Sequence, residues 1–121
     1  MAQTTHNTDA STLAGAALVD SLRAARATYR DEIQAARGGA RAAAQFSTRV
    51  DEILQLLHRQ AASQTHTPVA LVAIGGYGRR HLCLHSDIDL LFLFDGEIDT
   101  AEEHFVTALL HPLWDLGLAI G

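Results

Sequence analysis

Two acids, Asp87 and Asp89, stand just ahead of the apolar run "LLFLF", within "VALVAIGGYGRRHLCLHSDIDLLFLFDG" at residues 69–96. Side chains alternate across an extended strand, so the two carboxylates share one face about 6.5 to 7 Å apart and Ile88 points to the other. Like charges so placed repel each other, and at the mouth of a buried strand they also lose hydration. A divalent cation between them offsets both costs. All-oxygen ligation selects a hard ion, Mg²⁺ or Mn²⁺, whose shell is usually completed by water and substrate phosphates. Upstream, Gly75 and Gly76 leave an apolar run with no side chain in the way, which lets backbone N–H groups approach an anion closely. A helix following them would present its positive end to that anion, and Arg79 adds a guanidinium suited to phosphate. Glycines and acids in this order describe a phosphate-and-metal site.

Other residues that could do chemistry form weaker patterns. His81, Cys83 and His85 alternate on the intervening loop, but His-x-Cys-x-His lacks a fourth ligand and the usual zinc spacing. Cys83 has no evident base beside it and reads as a small packing residue. "GGYGRR" lacks the downstream Gly of a dinucleotide fingerprint and the Lys-Ser/Thr of a P-loop. Arg23, Arg26, Arg30, Arg37, Arg41 and Arg49 are interspersed with Asp20, Asp31, Glu32, Asp51 and Glu52, the texture of a solvated helix surface.

The elements that must position the acids follow from periodicity. Leu18, Leu22, Ala25, Tyr29 and Ile33 recur at helical spacing, and Gly38-Gly39 is a natural stop. Phe46, Val50, Ile53, Leu54 and Leu57 repeat the pattern, so residues 13–62 are expected to form an antiparallel pair of amphipathic helices after a loose polar tail over 1–12. "SQTHTP" (Ser63 to Pro68) is a polar linker. "VALVAI" reads as a strand buried on both faces, and Ile88 to Phe94 as a second one. Thr100 and Glu103 have the spacing of a capping box for a helix carrying Phe105, Val106, Leu109, Leu110, Leu113 and Trp114, which Pro112 should interrupt near its end. "LGLAIG" starts a third strand. A chain of 121 residues, 48% hydrophobic, is long enough for one modest core. The expected class is α+β (α/β).

Composition narrows the partners. Nine basic against 14 acidic residues give a net charge of -5, which argues against general binding to nucleic acid. No apolar run approaches the roughly 18 residues needed to span a bilayer, and the N-terminus lacks the pattern of a signal peptide. One cysteine suits a reducing compartment, so a cytoplasmic location is expected.

An apolar strand, Gly75-Gly76, ten intervening residues and then Asp-Ile-Asp-Leu in a second apolar strand resembles the nucleotidyltransferase superfamily signature, with its polymerase beta-like core. Within it, "LVAIGGYGRRHLCLHSDIDLLFLF", "LWDLGLAIG" and the two Arg-rich helices are similar to the N-terminal part of the bacterial PII-protein uridylyltransferases, the bifunctional uridylyltransferase and uridylyl-removing enzymes. Arg80 and His81 depart from that family's usual Gly and Glu, and Leu84 from its frequent Pro. The resemblance implies transfer of UMP from UTP to a tyrosine of the PII signal protein with release of pyrophosphate. Asp87 and Asp89 would hold two Mg²⁺ ions, Gly75 and Gly76 would cradle the phosphates, and Ser86 and Arg79 would assist. It also implies a third carboxylate, which neither Asp95 nor Asp115 is placed to supply, and which is expected after Gly121 together with hydrolase and regulatory domains. Residues 68–121 are then part of a nucleotidyltransferase domain, inactive alone. Two alternatives stay open: another nucleotidyltransferase of the superfamily acting on a small molecule or other protein, and a degenerate nucleotide-binding module.

If the acids are paired for ligand binding and not for folding, Asp89→Asn should leave the fold intact or slightly raise metal-free stability, by on the order of 1 kcal/mol. Urea denaturation in chelator measures this; loss of cooperative unfolding would make Asp89 a structural group.

Overall fold

The computed structural model describes residues 16–63, 68–115 and 117–121 in full, and for residues 2–15 gives only the helical course of the backbone. The tail expected over 1–12 and the centre of the linker, 64–67, lie outside the fully described residues.

Helix α1 (Ala2–Gln34) and helix α2 (Ala40–Ala62) form the expected antiparallel pair. Tyr29 stacks on Phe46 with ring centroids 4.9 Å apart near the turn, while Leu18 and Leu22 meet Ile53 and Leu57 at the far end. Every member of the second stripe is buried, from Phe46 through Leu57. Ser47 lies inside that stripe and satisfies its hydroxyl by donating to the Ala43 carbonyl at 2.8 Å, a cheap way to bury a polar group in a helix. The first stripe stops short of Ile33, which is exposed. α1 ends at Gln34, ahead of the two glycines, and Ala36 takes a left-handed conformation at φ 57.

Strand β1 (Val69–Ala73) and strand β2 (Leu90–Phe94) pair antiparallel, Val69 opposite Phe94 and Ala73 opposite Leu90. Ile120 forms a parallel bridge to Ile88 on the other side of β2, where Ile88 N–H donates to the Ala119 carbonyl at 2.9 Å and Gly121 N–H to the Ile88 carbonyl at 3.1 Å. The third strand expected from "LGLAIG" therefore begins there. Between the strands, helix α3 (Gly75–Gly78) is a single turn.

The strands are not buried on both faces, as their continuous apolar sequence suggested. Leu90 is buried, and Leu71 and Phe92 pack toward the core, whereas Leu91 and Leu93 are 44% and 51% exposed and Val72 and Ile74 join them. All the described helices lie on one face, so an alternating pattern of exposure replaces the expected burial. His58 ties α2 to the sheet: its Nε2 is 2.7 Å from the Val69 carbonyl oxygen, and its ring meets Phe105 edge-on at 5.5 Å.

Helix α4 (Thr100–Asp115) closes the core with Phe105, Leu109, Leu110 and Leu113. Its cap sits one residue earlier than the Thr100–Glu103 spacing indicated. Asp99 accepts from the Ala101 N–H at 2.9 Å, and Glu102 reaches back to the Asp99 N–H at 3.1 Å, the reciprocal arrangement of a capping box. Pro112 does not end the helix, which continues to Asp115; a proline in the last turn removes only one hydrogen bond. Trp114 faces solvent at 50% exposure, so it is not the packing residue its sequence position suggested.

Leu109, at 0% exposure, fixes α4 to the core. Leu109→Ala should cost about 2 to 5 kcal/mol through lost burial and the cavity left behind, measured from the urea midpoint.

Candidate phosphate-and-metal site

Asp89 lies between the bridge residue Ile88 and the first residue of β2, and Asp87 precedes them. Asp89 is half-buried and Asp87 exposed. They open onto the uncovered sheet face, shared with Leu91 and Leu93, as alternation along the strand requires. The Asp89 carbonyl accepts from the Ile74 N–H at 3.0 Å, which holds the end of β1 against the entry of β2.

The glycine turn is built around the Asp89 carboxylate. Gly75 has φ 63, a conformation that favours glycine, and a Cβ there would stand 2.5 Å from Asp89 Oδ2. A Cβ on Gly121 would collide with Asp89 Oδ1. The carboxylate is thus seated between two glycine backbones, where a side chain would displace it. Gly78 is required for another reason, since a Cβ would approach the Ala73 carbonyl to 2.6 Å, whereas at Gly76 the nearest atom, the His81 carbonyl oxygen, is 3.5 Å away. Of the two glycines singled out in the sequence, Gly75 is held by contact with the acid and Gly76 is sterically free to differ.

Arg79 ends α3 with its backbone N–H donating to the Gly75 carbonyl at 3.2 Å. Ser86 is exposed and donates its N–H to the Cys83 carbonyl at 3.1 Å. Neither forms a hydrogen bond or ion pair with Asp87 or Asp89. With only four residues, α3 builds no macrodipole of consequence, so any phosphate contact falls to individual N–H groups. Cys83, expected to pack, is exposed.

Among the described residues neither Asp87 nor Asp89 has a hydrogen-bond donor or cation partner, and no group of three or more His, Cys, Asp or Glu is gathered around one point. Two unpartnered carboxylates on one face, one pressed against glycine backbone, fit a hard divalent cation that takes its remaining ligands from water and phosphate. Asp115 is engaged elsewhere, 3.2 Å from His111.

A set of residues to which the sequence assigned no site role holds the loop in place. Tyr77, buried in α3, donates its hydroxyl to Asp51 Oδ1 on α2 at 2.6 Å. Arg80 donates to Asp51 Oδ2 at 3.4 Å, to the Ala44 carbonyl at 3.4 Å and to Thr48 Oγ1. Burial pushes the Tyr77 phenol well above its ordinary value of 10.0; its hydrogen bond to Asp51 and the Asp51 charge add to the rise, and Arg80 opposes it. Asp51 is therefore a tether, not one more solvated helix acid. Arg80 adopts φ 60, a strained conformation for a residue with a Cβ. The usual glycine of the resembling family at this position was the available signal.

Comparison with known proteins gives consistent relatives. The chain is 50% identical over 58 residues, 48% of its length and 7% of the relative's, to a bifunctional uridylyltransferase/uridylyl-removing enzyme of Streptomyces coelicolor. It is 42% identical over 72 residues, 60% of the chain and 8% of the relative, to the enzyme of that name from Methylococcus capsulatus. A third, from Bradyrhizobium sp., is 35% identical over 118 residues, covering 88% of the chain and 13% of the relative. No family model and no solved structure matches the chain. The chain is α+β in fold, and over most of its length it is similar to proteins that carry the bifunctional uridylyltransferase/uridylyl-removing name. More particularly, it is homologous to a segment of the bifunctional uridylyltransferase/uridylyl-removing enzymes, of whose length it spans about an eighth or less.

A hydroxyl that titrates higher in the folded chain than in the unfolded one contributes stability that is present below about pH 10 and lost as pH rises beyond it. All nine basic residues are arginine, so no lysine contributes to the alkaline response and the raised tyrosines dominate it. Tyr29 is shifted the same way, by burial and then by the nearby Cys83 thiolate. Stability should therefore fall over this range, and Tyr77→Phe should flatten the fall while costing about 1 kcal/mol at neutral pH through the lost hydrogen bond. Urea melts at pH 7, 9 and 11 compare the two proteins.

Proposed function

We propose that this chain carries part of the active site of a protein uridylyltransferase, which moves UMP from UTP to a tyrosine hydroxyl of the PII signal protein and releases pyrophosphate. The observation that carries the reading is the Asp89 carboxylate seated against Gly75, next to Asp87, in a chain whose relatives bear the uridylyltransferase name. Asp87 and Asp89 hold Mg²⁺ or Mn²⁺ through carboxylate oxygens. When bound, such an ion neutralises the triphosphate and lowers the pKa of the attacking hydroxyl.

The chain's own residues do the positioning. Backbone N–H groups of the turn beginning at Gly75 approach the phosphates where no side chain intervenes. Tyr77, tied to Asp51, keeps that turn fixed against α2, and the exposed Arg79 guanidinium is free to meet a phosphate oxygen. The open face in front of the acids gives substrate access. Residues supplying a third carboxylate, the uracil pocket and the PII surface are assigned to parts of the relatives that this chain does not match.

Calorimetric titration with UTP tests the site. Mg²⁺ should tighten binding at least about tenfold over chelator, since two carboxylates otherwise repel the triphosphate, and Asp89→Asn should abolish that gain. An unchanged metal effect in the variant would remove the acids from the site. Grafting the chain in place of the matching segment of the Streptomyces relative, and following labelled UMP onto PII, tests substrate and acceptor.

A further inference from the structure

Arg23, Arg26 and Arg30 lie at spacings of three and four on α1 and line one groove of about 550 Å³ with His85, over a floor that includes Leu84 and Leu118. Ala27 sits in the same stripe, and its small side chain leaves the room between the arginine stems. Along the helix axis the three arginines span about 10 Å. We infer that this groove binds a phosphate chain, as a nucleoside triphosphate's tail or as free polyphosphate, independently of metal and separately from the Gly75 turn and the two acids.

Charge makes the case. The chain as a whole carries -5, yet three arginines of one helix and a histidine of the facing loop line this one groove. The acids that approach them, Asp20 at 3.1 Å from Arg23 and Asp31 at 3.9 Å from Arg30, are more than 70% exposed and neutralise little in water. Arg26 is half-buried and has no carboxylate or other hydrogen-bond partner among the described residues. An anion in the groove would give Arg26 the partner it lacks among the described residues. Guanidinium groups bind phosphate oxygens in pairs, with five fixed donors each. The groove has the volume of a small-ligand site and walls of aliphatic carbon, dimensions suited to a flexible chain of phosphates rather than to the surface of a folded acidic protein.

The test uses the 121-residue chain, chelator throughout, and sodium tripolyphosphate as the probe in calorimetry at low salt. Binding should be weakened at least about tenfold by Arg26→Gln or Arg30→Gln, and left unchanged by Asp89→Asn and by Arg49→Gln, an exposed arginine of α2 outside the groove. That pattern separates the groove from the metal site, because the proposed transferase role can fail while the groove binds, and the reverse. UTP compared with tripolyphosphate assigns the source: tighter UTP binding points to a nucleotide, equal binding to a free phosphate chain. A measurement without variants follows the methyl resonances of Leu84 and Leu118, which should shift on titration while Leu54 and Leu71 stay still. No binding, an equal loss in Arg49→Gln, equal affinity for a polyglutamate peptide, or shifts centred elsewhere would each overturn the proposal.

Discussion

The hydrogen bond from Tyr77 to Asp51 joins the two layers of this molecule at the point where function is proposed. On one side it is anchored in α2, whose apolar stripe is the centre of the core. On the other it fixes the single turn of α3, and so the place of Gly75, against which the Asp89 carboxylate rests. A buried phenol needs an acceptor, and Asp51 supplies it; Arg80 then binds the same carboxylate from the far end of the turn. Position passes from helix packing to a loop, and from the loop to an acid, through contacts that are each short and directional.

The constraint explains which parts of the architecture were legible in the sequence. Phe46, Val50, Ile53, Leu54 and Leu57 announce α2 because helical burial recurs every three to four residues and nothing else produces that pattern. Asp87 and Asp89 were legible for a similar reason, since two acids before an apolar strand contradict local burial. The clamp was not. Tyr77 looks like any aromatic in a loop, Asp51 like any helix acid, and their partnership spans 26 residues of sequence. Arg80 carried a faint signal in standing where the resembling family keeps glycine, but what offsets its left-handed backbone, the contacts to Asp51, Thr48 and Ala44, is visible only in three dimensions. The stripe of Arg23, Arg26 and Arg30 read as a solvated surface because periodicity does not reveal which loop will face it.

The sheet taught a different lesson. "VALVAI" and "LLFLF" are apolar at every position, which in a parallel sheet means cover on both faces. Here the pair is antiparallel and the described helices cover one side, so Leu91, Leu93 and Val72 stand open beside the acids. Sequence states what a strand can tolerate, and only the arrangement of layers states what it receives. The cap of α4 makes the same point on a smaller scale: Asp99 and Glu102 satisfy the geometry that Thr100 and Glu103 also matched in spacing.

The groove on α1 is lined by arginine alone among the basic side chains with fixed charge, in a chain that has no lysine at all. A guanidinium stays protonated at any pH a cell reaches. Its charge is also beyond the reach of the acetyl groups and other acyl donors that silence lysine-based surfaces by modifying a free amine. The positive face of this molecule is thus a permanent property of its sequence, one that enzymes acylating lysine cannot turn down and amine-directed reagents in the laboratory cannot label.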